Sequence, residues 1–130
     1  MPLVRIAQLH DTGCAVACVA TVAGVSYTKA ALHVKGRRHG NLAAYWSEMQ
    51  RGLRALGFRC RMGTDFRAKG LPAILMFEWA SSPGDFHCVV WDPEVRLFID
   101  PAHVRSLGPE FYLERWRKNG RESLVVTGRR

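Results

Sequence analysis

Cys14 stands where a polar run, Gln8-Leu9-His10-Asp11-Thr12-Gly13, gives way to the small apolar residues Ala15-Val16-Ala17-Cys18-Val19-Ala20. A cysteine that opens a helix there meets unpaired amide N–H groups and the positive end of the helix macrodipole, and both favour a thiolate. Far downstream, Phe86-His87-Cys88-Val89-Val90-Trp91 supplies an imidazole and Leu97-Phe98-Ile99-Asp100-Pro101 a carboxylate. Those are the two groups a thiol needs to become a nucleophile: a base to exchange its proton, and an anion to orient the base. Gln8 lies six positions ahead of Cys14, so its amide N–H₂ and the Cys14 backbone N–H can aim at one oxyanion. The chemistry implied is acyl transfer from an amide through a thioester, with no metal or organic cofactor required.

Each residue also has a plainer reading. Cys14 could be a small core residue, as Cys18 one turn further on is expected to be. Asp100 could only cap a turn before Pro101, and Gln8 could be an ordinary loop residue. Asp92 is a second choice of orienting carboxylate, but it falls in the hairpin turn Asp92-Pro93-Glu94 and is expected to face solvent. Asp11 reads as a cap for the Cys14 helix or its lead-in turn. His10, His33, His39 and His103 read as surface residues. Zinc is a further alternative, with Cys14-x-x-x-Cys18 and His87-Cys88 as ligands. Neighbours on a strand point to opposite faces, however, so His87 and Cys88 are poorly placed to share one ion.

The segment from Gln8 to Thr21, with His87 and Asp100-Pro101, resembles the bacteriocin-processing, double-glycine leader cysteine peptidases. That resemblance implies a papain-like fold and a peptide or protein substrate. It also implies Cys14 as nucleophile, His87 as base, Asp100 as orienting carboxylate and Gln8 in the oxyanion hole. The family's Asp-Cys-Gly reads Gly13-Cys14-Ala15 here, which leaves the substrate open. The same machinery serves a stand-alone toxin or effector acting as amidase, deamidase or transamidase. Two non-catalytic readings are a basic module binding nucleic acid or an acidic protein, and a pseudo-peptidase that captures leaders without cutting them.

One hundred and thirty residues with 48% hydrophobic content suit a single domain, residues 1–130, with a real core. No apolar run approaches the ~20 residues of a membrane span. The first residues lack the pattern of a signal peptide, so a cytoplasmic location is expected, with delivery by a secretion system or phage left open. Four cysteines are too few for a disulfide framework. The net charge of +8 leaves room for an acidic partner. Its basic residues (Lys35, Arg37 and Arg38; Arg51 to Arg67; Arg115 to Arg121; Arg129-Arg130) form no continuous arm. Aromatics are not interleaved among them, which argues against nucleic acid.

The elements that must hold these groups follow from periodicity. Residues 13–23 read as a buried helix, and Thr28 as the cap of a short helix through residue 32. A polar loop follows over 35–40. Asn41 is expected to cap a helix ending at Gly57, with Leu42, Tyr45, Trp46, Met49, Leu53 and Leu56 as its core stripe. Strands are expected over 58–62, 73–77, 86–91, 95–99 and 123–126, a loop over 81–85, and a helix after Gly108-Pro109. Helices first and antiparallel strands after is the α+β pattern, with the nucleophile helix laid on an antiparallel sheet.

Overall fold

The computed structural model describes residues 2–37, 41–78, 85–103, 107–120 and 122–130. Residues 81–84 of the loop expected over 81–85, together with Arg38, His39, Gly40 and Arg121, lie outside the described residues.

Helix α1 (Cys14–Ala23) is built almost wholly of alanine, valine and cysteine, and residues Ala15 to Val22 are all buried. Small side chains on every side let it lie flat against a sheet with other helices packed around it. Gly24, left-handed at φ 68°, ends it by returning its N–H to Ala20. Helix α2 (Tyr27–Lys35) is capped by Ser26, whose Oγ accepts from the Lys29 N–H at 3.1 Å. The cap is therefore Ser26 rather than Thr28, and the helix runs past residue 32.

Helix α3 (Trp46–Ala55) starts later than the sequence suggests. Asn41 uses its carbonyl oxygen on the Ala43 N–H at 3.0 Å, making a local turn instead of a helix start. The Tyr45 N–H is taken by the Glu48 side chain at 2.9 Å, which closes the true N-terminus. Met49 and Leu53 reach the core as expected, but Tyr45 does not: it is 78% exposed.

After α3 come β1 (Phe58–Gly63), the short α4 (Phe66–Lys69), β2 (Ala73–Glu78), β3 (Phe86–Asp92), β4 (Leu97–Ile99), α5 (Pro109–Asn119) and β5 (Ser123–Arg129). They form one antiparallel sheet in the order β1-β5-β2-β3-β4. Alternation sorts the sheet's side chains into two cores. Cys60, Ile74, Cys88, Val90, Leu124 and Val126 face α1, α2 and α3. Leu75, Phe77, Val89, Trp91 and Val125 face Phe66 of α4 and Tyr112, Leu113 and Trp116 of α5. The α+β architecture, with the Cys14 helix on an antiparallel sheet, is the one the sequence predicts.

The N-terminal residues form an extended strap that periodicity does not reveal. The Leu3 N–H donates to Asp92 Oδ2 at 2.9 Å, and the Ile6 N–H to Thr21 Oγ1 at 3.0 Å. Arg5 donates through Nε to the Asp100 carbonyl at 2.7 Å and through Nη2 to the Pro101 carbonyl at 2.9 Å. The Gln8 N–H also reaches the Pro101 carbonyl, at 3.1 Å.

Asp92 is thus not exposed, contrary to the sequence expectation. It is 2% exposed and accepts from the strap on one oxygen and from the Glu94 N–H on the other at 3.0 Å. An amide at that position can accept only one of these bonds and turns an N–H₂ toward the other donor. Asp92→Asn is therefore expected to destabilise the fold by about 1–3 kcal/mol, read as a lower urea midpoint.

Among the described residues, no single helix is long and apolar enough to cross a membrane; α1 and α2 together meet that test only as a pair bent by 112°.

Candidate active site

Cys14 is the first residue of α1, with Gly13 at the N-cap, so its backbone N–H has no acceptor within the helix. Asp11 is not the N-cap residue of this helix; that place is taken by Gly13, which brings no side-chain cap. Gly13 is buried against Tyr27, and a Cβ there would collide with the Tyr27 hydroxyl. Of the four free cysteines, Cys14 is half-buried, while Cys18, Cys60 and Cys88 are buried.

Helix α1 packs against β3, and its N-terminus meets the end of that strand. Cys14 Sγ lies 4.0 Å from the Phe86 carbonyl oxygen. Among the described residues, strand β4 pairs with β3 from Val90 to Asp92. The His87 ring lies edge-on to Phe77 of the α5-side core at a centroid distance of 5.8 Å. His87 Nε2 makes a 2.8 Å hydrogen bond with Asp100 Oδ1, and the two residues are 5% and 1% exposed. Asp100 Oδ1 also accepts from the Ala102 N–H at 2.9 Å, and Oδ2 from the Tyr112 hydroxyl at 3.0 Å.

The electrostatics follow from these contacts. The Cys14 thiol is lowered to about 5: a hydrogen bond from the Cys88 thiol acts first and burial opposes it, while His87 adds a hydrogen bond and its charge. His87 is raised to about 9: burial would lower it, but hydrogen bonds with Asp100 and Cys14 and their negative charge prevail. Asp100 lies below the usual carboxylate range, because its bonds from His87, Ala102 and Tyr112 outweigh the cost of burying it. Cys88 is pushed well above an ordinary thiol by holding its proton toward Cys14 and by burial. Cys18 is pushed up mainly by burial. At neutral pH the pair is a thiolate and an imidazolium.

A cleft of about 730 Å³ opens onto the sulfur, lined by Asp11, Thr12, Cys14, Ala15, Tyr45, Trp46, Met76, Phe86 and Cys88 among others. Sequence periodicity assigns Tyr45 and Trp46 to the core, yet they wall this cleft. The extended segment before α3 carries Tyr45 to the surface, whereas Trp46, the first residue of α3, packs against the helix-side core while also lining the cleft. His87 and Asp100 are not among its lining residues, so the cleft presents the sulfur with its charged partners behind it.

The fold thus brings Cys14, His87 and Asp100 together. Gln8 sits in the same loop region, but its amide is engaged: Nε2 donates to the His10 carbonyl at 3.0 Å and the Asp11 carbonyl at 3.3 Å. Its Oε1 is buried without a hydrogen-bond partner. His10 is exposed and bonds the Tyr27 hydroxyl through Nδ1 at 3.1 Å. Among the described residues, no group of three or more His, Cys, Asp or Glu is arranged to hold a metal ion. Two participants escape sequence reading, Cys88 beside the sulfur and Tyr112 on the carboxylate. A strand cysteine and a tyrosine in an amphipathic helix both look like core.

No protein-family model and no curated protein sequence matches this chain. Solved structures do. One is the peptidase domain of Streptococcus ComA, a bi-functional ABC transporter involved in a quorum sensing pathway. It matches with a TM-score of 0.67 at 14% identity, over 96% of this chain and 98% of that one. Another is a double glycine motif protease from an AMS/PCAT transporter, solved in complex with a leader peptide. It matches with a TM-score of 0.63 at 16% identity, over 97% of this chain and 91% of that one. At these identities the likeness is one of fold, and the fold is that of the papain-like peptidase domains of such transporters.

Proposed function

We propose that the protein is a cysteine peptidase in which Cys14, His87 and Asp100 form the catalytic triad. The observation that carries this reading is the 2.8 Å Asp100–His87 hydrogen bond set behind a cysteine sulfur that opens onto a cleft. The fold shared with peptidase domains supports it.

In this mechanism Cys14 Sγ attacks the carbonyl carbon of a peptide bond lying in the cleft. His87 Nε2 is committed to Asp100, so Nδ1 is the nitrogen that exchanges protons at the reacting end. It donates to the leaving amine, the C–N bond breaks, and a thioester remains on Cys14. His87 then takes a proton from water, the hydroxide adds to the thioester carbonyl, and Cys14 leaves as thiolate. The Cys14 backbone N–H is one oxyanion donor. Gln8 supplies the second by exchanging its longer bond, to the Asp11 carbonyl, for the oxyanion.

Unbiased peptide libraries incubated with wild type and Cys14→Ala, and read by mass spectrometry, test the reading. New termini that appear only with wild type support it; no Cys14-dependent product refutes it. With such a substrate, Gln8→Ala is expected to lower kcat by on the order of 10²–10³ while Cys14 alkylation stays near the wild-type rate. Equal losses in both measurements would assign Gln8 to holding its loop.

A further inference from the structure

Asp100 can orient His87 only if it is itself held in one position. Its Oδ1 carries two donors, the His87 ring and the Ala102 N–H. Rotation about the bond to the carboxyl carbon would still swap the two oxygens if Oδ2 were unclaimed. Tyr112 claims it. This residue lies on α5, is 0% exposed, and is packed against the rings of Phe77, Phe98 and Phe111 at centroid distances of 6.4, 5.3 and 5.4 Å. A phenylalanine would satisfy that apolar neighbourhood. The hydroxyl is a polar group in a core, where it is costly unless it is bonded.

Its bonding also has a fixed direction. The Leu107 N–H, which can only donate, gives to the Tyr112 oxygen at 3.1 Å. An ionised carboxylate can only accept. The Tyr112 proton therefore points at Asp100 Oδ2, 3.0 Å away. We propose that Tyr112 is a positioning residue: its hydroxyl locks the Asp100 carboxylate in the orientation that delivers Oδ1 to His87. Tyr112 touches neither the sulfur nor the cleft, and its influence on the reaction passes through Asp100.

The inference rests on the peptidase reading for its kinetic consequence, but one of its tests needs no substrate. Tyr112→Phe keeps the ring and removes only the hydroxyl. It is expected to lower kcat about tenfold with KM within twofold, the effect of one hydrogen bond to a charged group. It is also expected to move the alkylation midpoint of Cys14 upward, since a less firmly held carboxylate supports the imidazolium less well. In an Asp100→Ala background the same substitution should change both readouts less than twofold, because the residue through which it acts is gone. Equal losses in both backgrounds would mean that Tyr112 acts through packing, and an unchanged kcat and midpoint in the single variant would likewise overturn the proposal. The alkylation cycle decides the matter even if no peptide is cleaved, so failure of the peptidase reading and failure of this one are separable. Circular dichroism of Tyr112→Phe, expected to match wild type, shows that the comparison is made between folded proteins.

Discussion

Asp100→Asn is expected to lower turnover by on the order of 10³–10⁴ with the fold retained. The carboxylate accepts the His87 Nε2–H at 2.8 Å and so presents Nδ1 to Cys14 as the proton-exchanging nitrogen. An amide in its place can turn its N–H₂ toward Nε2, which selects the opposite tautomer and leaves a proton where the base is needed. It also removes the negative charge that, with the hydrogen bond, helps hold the imidazolium up at about 9. The same variant should slow Cys14 alkylation near neutral pH, because the thiolate loses a firmly charged neighbour. Asp92→Asn supplies the contrast. It also removes a buried carboxylate's charge, but that group's bonds go to the Leu3 and Glu94 N–H groups. It should therefore cost stability and spare both turnover and alkylation. If Asp92→Asn abolished turnover while Asp100→Asn was silent, the assignment of the carboxylate would be wrong.

His87→Ala is expected to lower turnover at least as severely, since among the described residues His87 is the base that acts on the sulfur. The pH dependence in wild type fixes what is lost. As pH falls through about 5, the Cys14 thiolate takes up a proton; as pH rises through about 9, the imidazolium gives one up. Activity should therefore be bell-shaped between those limits. At pH 6 a thiol of pKa about 5 is almost fully ionised, roughly 10³ times more than one near 9. Its lower basicity makes each thiolate less nucleophilic, which returns most of that factor and leaves a net advantage on the order of tenfold. Iodoacetamide at pH 6 should thus label Cys14 before Cys18, Cys60 or Cys88, and the three buried thiols are slowed further by access. In His87→Ala the lead should shrink several-fold, because the sulfur loses its charged neighbour. Uniform labelling of all four cysteines in wild type would refute the ion pair.

The sequence shows the proposed reacting groups more clearly than the groups that hold them. Cys14 is conspicuous because a polar run turns apolar at that residue. His87 and Asp100 are conspicuous because charged or titratable residues interrupt apolar strands on either side of a turn. Asp92 is misleading for the same reason: a turn residue reads as exposed, and the Leu3 N–H that buries it lies 89 positions away in the chain. Tyr45 falls in a helical period, but Asn41 and Glu48 spend their side chains on nearby backbone N–H groups, so the helix starts only at Trp46. Tyr112 carries no local mark at all, since only its partner across the fold distinguishes it from a core ring. The place of the last strand is likewise invisible, because alternation identifies a strand and not its neighbours.

That last strand decides when the protein can exist. Strand β5 lies between β1 and β2, and among the described residues β1 has no other partner in the sheet. During synthesis, residues 14–99 can all have left the ribosome while the sheet is still in two pieces, with β1 unpaired and β2, β3 and β4 exposing an edge. The nascent chain therefore completes its architecture late, and in one step, when residues 123–129 slot between strands made long before. Loop closure over such distances is slow compared with hairpin formation. Until it happens, apolar strand edges are open to other chains, which makes the interval before insertion the one most exposed to aggregation.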